Sequence, residues 1–295
     1  MATIVASFSG GKFHIDHNGK KLSSASPRYI RNKFPNDNVV FGDEAAAAAP
    51  VASKYGINKR FGFVENLVSM VASGVQPSAV ITGEGGLGKS FTVTKTLTAG
   101  GFVDVSSFAD IADGSIMPKK RFIVIKGYST PKGLYRTLYE NNGQVIVFDD
   151  CDSVLRDPVS LNLLKGALDS YSKRIISWRA DLRDDDLPQA FEFTGRVVFI
   201  SNLSMQNLDQ AIRSRSMTID LSMTTTEKID RMEYIVKSGE FMPEYDIKVK
   251  TDAINFIREI ADNVKELSLR SLIKVCKIRA GNKEWRDLAE YMLTN

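Results

Sequence analysis

Two rhythms of hydrophobic spacing divide the chain. Short continuous apolar runs recur in its middle: SAVIT (78–82), RFIVIKG (121–127), QVIVFDD (144–150) and RVVFISN (196–202). Each is too short for a buried helix and most are rich in β-branched residues, so each predicts a strand covered on both faces. Between the runs the spacing changes to three and four residues. RFGFVENLVSMVASGV places Phe61, Val64, Leu67, Val68 and Val71 on one helical stripe, which Pro77 ends. KSFTVTKTLTA continues as a helix closed by Gly100 and Gly101, and another helix is expected around PKGLYRTLYENN. Strands alternating with helices require crossover connections, hence a parallel sheet. From about residue 224 the strands cease, and TEKIDRMEYIVKSG, KTDAINFIREIADNV, LRSLIKVCKIRAG and NKEWRDLAEYMLT predict four amphipathic helices.

Ahead of this core, KFHIDHNGKKL alternates in polarity around Asn18-Gly19, the signal of a tight hairpin. DEAAAAAPVAS (43–53) is low in complexity and is expected to be a linker or a frayed helix. The expected organisation is a β-rich leader with an Ala-rich linker over residues 1–54, an α/β core over 55–223 and an all-α lid over 224–295. Inside the core, RIISW and AFEF predict two short strands joined by a charged loop.

Composition narrows the class without naming a function. The 295 residues suffice for one large α/β domain and an accessory domain, with 43% hydrophobic and 25% charged residues as in ordinary globular proteins. No apolar run approaches the ~20 residues needed to span a bilayer. The first residues show no basic segment followed by an apolar one, so a cytoplasmic protein with no membrane association is expected. A net charge of +4, from 39 Lys+Arg against 35 Asp+Glu, fits a nucleic-acid partner but does not argue strongly for one. Cys151 and Cys276 lie far apart with no metal-ligand spacing, in keeping with a reducing compartment. His14 and His17 flank the predicted hairpin and are expected to be surface residues rather than metal ligands.

The chemistry concentrates in GEGGLGKS, Gly83 to Ser90. Its Gly83, Gly85 and Gly88 match the G-x-G-x-x-G turn of dinucleotide sites, while its whole length matches G-x-x-x-x-G-K-[ST], which wraps triphosphates. Lys89 and Ser90 decide between them. A triphosphate site needs a lysine bridging the β- and γ-phosphates and a hydroxyl for Mg²⁺, and a dinucleotide turn needs neither. The dinucleotide reading would also require an acidic residue further on for a ribose, and only Asp104 is available. The triphosphate reading in turn requires acid at the end of a buried strand. QVIVFDD supplies Asp149 on the metal side and Asp150 to orient or deprotonate water, with Asp152 as a competitor for that role. A solvated turn or a helix cap is the plainer reading of such a pair in isolation.

In the order GEGGLGKS, VIVFDD, VVFISN, NLDQAIRSRSMTIDL and LSLRSL, the chain from about residue 55 onward resembles the AAA+ ATPases, whose P-loop NTPase core is followed by a helical lid. The resemblance implies ATP and Mg²⁺ as ligands. The loop residues Gly83, Glu84, Gly85, Gly86, Leu87, Gly88, Lys89, Ser90 and Phe91 would hold the nucleotide, and Ser90 and Asp149 the metal. Asn202 would correspond to sensor 1, Arg215 to the arginine finger with Arg213 as the alternative, and Arg270 to sensor 2. Exposed helix charges and a capping charge are the plain readings of these arginines. The family usually carries Asp-Glu where this chain has Asp149-Asp150, so slower hydrolysis or use of ATP as an assembly switch is compatible with the residues.

A finger acting on a neighbour implies a homo-oligomer, with a hexamer expected. For the macromolecular substrate two readings stay open. A DNA-associated ATPase of replication or recombination, in a phage or mobile element, is slightly favoured. It would use Lys173, Arg174, Arg179 and Arg183 on phosphates and Trp178 on bases, although DLRDDD on the same loop repels DNA, and a solvated hairpin with a buried aromatic root is an equal reading of the segment. A protein-remodelling motor would grip an extended chain with Tyr128 in KGYSTPKG. A nucleotide-gated scaffold is the third possibility.

Overall fold

In a computed structural model, the protein is described over residues 3–9, 12–17, 20–24, 33–34, 38–41, 53–106, 118–179 and 187–295. It divides into two units, Met1–Ala52 and Ser53–Asn295. In the first, β1 (Thr3–Ser9), β2 (Lys12–His17), β3 (Lys20–Ser24) and β4 (Asn38–Phe41) form a sheet of order β3-β2-β1-β4. His17 stands opposite Lys20 across the antiparallel β2–β3 pair, the register of the predicted hairpin, while β4 runs parallel to β1. The turn residues Asn18 and Gly19, and all but Ser53 of the Ala-rich stretch, lie outside the described residues.

The second unit is built on a six-stranded sheet of β5 (Ser78–Thr82), β6 (Val103–Asp104), β7 (Arg121–Lys126), β8 (Val145–Asp149), β11 (Arg196–Ile200) and β12 (Met217–Asp220). Their order is β12-β5-β11-β8-β7-β6, and every neighbouring pair is parallel. Strand alternation sorts the apolar runs onto two faces. Ala79, Ile81, Val145, Val147 and Val198 pack under α1 (Ile57–Ala72) and α2 (Lys89–Ala99). Val80, Ile146, Phe148, Val197 and Phe199 face α3 (Pro131–Glu140), α4 (Pro158–Ala167) and α5 (Gln210–Arg215). Burial on both sides is why these runs are continuously hydrophobic rather than alternating.

The helical C-terminal part comprises α6 (Thr225–Lys237), α7 (Ile247–Ile260), α8 (Leu269–Gly281) and α9 (Trp285–Thr294) around its own core of Met232, Phe256, Leu272, Val275 and Trp285. A capping box between Thr224 and Glu227 starts α6. Glu227 also pairs with Arg60 of α1, and the Arg231 guanidinium lies 3.6 Å from the centroid of the Phe61 ring. Burial lowers the Arg231 pKa to about 10.

Four elements of the second unit escaped the periodicity reading, the two-residue β6 among them. Helix α4 begins at Pro158 with its N-terminus capped by Asp157, a proline-at-N1 start signal. Helix α5 is too short for a repeating stripe, and β12 alternates too briefly to stand out from the arginine-rich segment before it. The predicted short strands are β9 (Ile175–Ser177) and β10 (Ala190–Glu192), an antiparallel pair.

Candidate functional site

The sheet order brings three chain ends together. β11 lies between β5 and β8. The glycine loop leaves β5, Asp149 ends β8, and Asn202 follows β11, so all three emerge at the same carboxyl edge of the sheet.

Backbone geometry explains the glycines. Gly83, Gly86 and Gly88 have φ of 131°, 74° and 93°, the left-handed region that side chains disfavour. A Cβ on Gly83 would also stand 2.9 Å from the backbone carbonyl carbon of Leu221. Gly88 sits at the N-cap of α2, so the loop ends at the positive pole of that helix, a natural anion cradle.

Lys89, only 5% exposed, points back under the loop. Its Nζ donates to the carbonyls of Gly83 at 2.6 Å and Glu84 at 2.7 Å, and to Asn202 Oδ1 at 3.0 Å. Burial lowers its pKa, while Asp150, Asp149, Asp152 and Glu84 act to raise it. The cation is thus held among acceptors at the mouth of an anion cradle.

Ser90 donates its hydroxyl to Asp149 Oδ1 at 2.8 Å, and Asp149 is buried. Two hard oxygen donors side by side suit Mg²⁺, which takes one or two protein oxygens and completes its shell with phosphates and water. Among the described residues no group of three or more His, Cys, Asp or Glu forms a separate metal cage. Lys126 Nζ lies 3.4 Å from the other carboxylate oxygen of Asp149.

Asp150 is exposed and has φ of 55°, unusual for a residue with a side chain. Its Oδ1 accepts the Asn202 amide at 2.7 Å. Asn202 therefore links Lys89 to Asp150. Asp152 accepts the Ser201 hydroxyl at 2.6 Å, so its carboxylate is engaged by the residue that follows β11.

A cavity of about 310 Å³ is lined by Gly85, Gly86, Gly88, Lys89, Ser90 and Phe91 of the loop and helix, with Asp150, Asn202 and Arg270 around it. Arg270 arrives from α8, whose first amide, Leu269 N–H, donates to the Gly86 carbonyl at 2.9 Å. Leu87 turns inward to the core, and the Glu84 carboxylate pairs with Lys228 of α6. The lid and the loop are thereby in direct contact.

Arg215 is not part of this cluster. It precedes β12, whose Met217 stands opposite Ala79 near the start of β5, so Arg215 occupies the opposite edge of the sheet from the glycine loop. There it lines a cavity of about 600 Å³ with Arg174, Arg196 and Tyr171. Arg213 is exposed on α5. Asp104 lies on β6, at the far end of the sheet from β5, and accepts from Ser106. It cannot serve a dinucleotide on the glycine loop.

Two of the residues expected to meet DNA, Arg174 and Trp178, are committed to the fold. Arg174 donates to the Ala167 carbonyl at 2.8 Å and the Gly195 carbonyl at 2.9 Å. Trp178 packs against the core with its ring centroid 6.0 Å from that of Tyr135. Lys173 and Arg179 are exposed, whereas Arg183 and the aspartates around it lie outside the described residues. Tyr128 projects from the end of β7 with 79% exposure. His14 accepts or donates a hydrogen bond at 2.7 Å to Ser23. Among the described residues no helix is long and apolar enough to cross a membrane.

Sequence reasoning missed Lys126 and the Glu84–Lys228 pair. Lys126 ends a predicted strand but carried no signal of its partner, because only the pairing of β7 with β8 sets it level with Asp149. Glu84 and Lys228 are distant in sequence and carried none.

No family model matches the chain. It is 28% identical over 258 residues to an uncharacterised 36.7 kDa protein encoded in the nrdC-mobD intergenic region of Enterobacteria phage T4, covering 80% of this chain and 74% of that protein. A crystal structure of the FIGL-1 AAA domain in complex with ADP is similar at a TM-score of 0.41 and 17% identity, over 79% of this chain and 72% of that one.

Proposed function

We propose that the protein is an ATPase of the AAA+ type that binds ATP with Mg²⁺ and hydrolyses it. The observation that carries this reading is the linked set Lys89–Asn202–Asp150 beside Ser90–Asp149, all at the glycine-loop edge of a parallel sheet. The loop amides and Lys89 bind the phosphates, and Arg270 adds a second cation from the lid side. Ser90 and Asp149 hold Mg²⁺, which when bound neutralises charge on the phosphates. Asp150 accepts a proton from the attacking water, and Asn202 fixes the direction of that carboxylate.

Arg215, at the far edge of the sheet, serves the site of a neighbouring copy. This requires a homo-oligomer, for which a hexameric ring is the proposed form. The work done is remodelling or loading of a macromolecule, with DNA as the first candidate. The exposed Lys173 and Arg179, and the similarity to a phage protein, support a phage replication or recombination setting. The 79% exposure of Tyr128 supports the second reading, threading of a polypeptide.

Phosphate release from ATP by the purified protein with Mg²⁺ tests the first statement, measured alone and with single-stranded DNA, duplex DNA or an unfolded protein. Stimulation by DNA that weakens with salt is expected. Stimulation by unfolded protein alone would transfer the assignment to the second reading. No phosphate release under any condition, with nucleotide still bound, would leave a nucleotide-gated scaffold.

A further inference from the structure

Asp149 has two carboxylate oxygens and two different neighbours. Oδ1 accepts the Ser90 hydroxyl, while Oδ2 lies 3.4 Å from Lys126 Nζ. The two ends of that ion pair differ sharply in environment. The Asp149 side chain is 5% exposed and that of Lys126 is 71% exposed. Lys126 and Asp149 are direct register partners on β7 and β8, so neither can move away from the other without disturbing the central sheet. Only the flexible lysine stem can swing.

A buried carboxylate needs a positive partner, and an exposed ammonium is an easily released one. A divalent ion drawn to the Ser90–Asp149 oxygens meets Lys126 at the same carboxylate, and like charges that close disfavour joint occupancy. We infer that Lys126 is a displaceable counter-ion of Asp149 that competes with the divalent cation and sets the concentration at which the site takes up metal. The inference rests on the triphosphate reading of the glycine loop. Lys126 is accordingly a positioning residue for Asp149, and its charge rather than its packing carries the effect.

The test is binding of Mn²⁺ to the full chain with a non-hydrolysable ATP analogue, read from the electron paramagnetic resonance signal of free Mn²⁺. Lys126→Ala and Lys126→Met should half-saturate at about fivefold lower free Mn²⁺ than the unsubstituted protein, the ratio set by an exposed ion pair of ~1 kcal/mol. Lys126→Arg, which keeps the charge, should behave as the unsubstituted protein. Unchanged or weaker Mn²⁺ binding in both neutral variants, with nucleotide still bound, overturns the inference and leaves the triphosphate reading intact. Absence of nucleotide binding in the unsubstituted protein overturns both together.

Discussion

The carboxylate of Asp150 is held by the side-chain amide of Asn202 at 2.7 Å, and the carbonyl of the same amide accepts from Lys89 at 3.0 Å. One neutral side chain thus orients both the cation proposed to bind phosphate and the carboxylate proposed to address water. Asn202→Ala should lower kcat for ATP hydrolysis by about 10²-fold, at the lower end of the range for losing a positioned base, with nucleotide affinity much less affected. Steady-state kinetics beside equilibrium binding of a fluorescent ATP analogue check this split.

Lys89 is predicted to act mainly through binding. Its charge-assisted bonds to phosphate are each worth roughly 1.5–3 kcal/mol, so Lys89→Ala should weaken ATP binding by about 10- to 150-fold. Because burial lowers the pKa of this lysine, affinity should also fall with rising pH before an ordinary lysine would titrate. Binding isotherms across the alkaline range measure both effects.

Asp150 places activity against stability. Its φ of 55° is one that glycine adopts freely and alanine does not. Asp150→Gly should therefore be about 1 kcal/mol more stable than Asp150→Ala in urea unfolding, and both should lose hydrolysis alike. Equal stability of the two variants would show that the backbone there is not held in the left-handed region.

Much of this architecture is legible in the sequence. The four apolar runs became β5, β7, β8 and β11 because double-sided burial leaves a continuous hydrophobic signature. The glycine loop was legible because three of its glycines occupy backbone that other residues resist. What the chain could not disclose was spatial order. Nothing near Lys126 says that β7 is the neighbour of β8, and nothing near Glu84 says that Lys228 meets it. Trp178 and Arg174 left two readings open, since residues that suit nucleic acid also suit an aromatic core and the capping of carbonyls.

Arg215 yields a prediction about copies. Arg215→Ala should bind ATP normally and hydrolyse it poorly, whereas Lys89→Ala should bind it about 10- to 150-fold more weakly. Mixing the two should restore part of the activity, because an intact loop on one copy then meets an intact arginine on another. Phosphate release from the mixture, compared with each variant alone, decides it. No recovery, with assembly shown by light scattering, would remove Arg215 from a shared site.

The two thiols should be silent. Burial raises Cys151 and Cys276 from 9.0 to about 11. At pH 8 only about one thiol in a thousand is then ionised, so alkylation of the folded protein should be negligible and should become complete in urea. The unfolded chain loses these protons near pH 9 and the native one retains them to about 11, so stability should decline as pH rises through that window.

The central place of β11 has a consequence for fidelity. Its side chains alternate between the two cores, with Val198 toward α1 and α2 and Phe199 toward α3 and α4. Slipping this strand by one residue would exchange those faces and carry Asn202 roughly 3.3 Å from its two partners. Because both faces are apolar, such a slip is opposed by side-chain volume, Phe199 against the space of Val198, rather than by polarity. The same contacts that make the molecule fold therefore also set the reach of Asn202 toward Lys89 and Asp150.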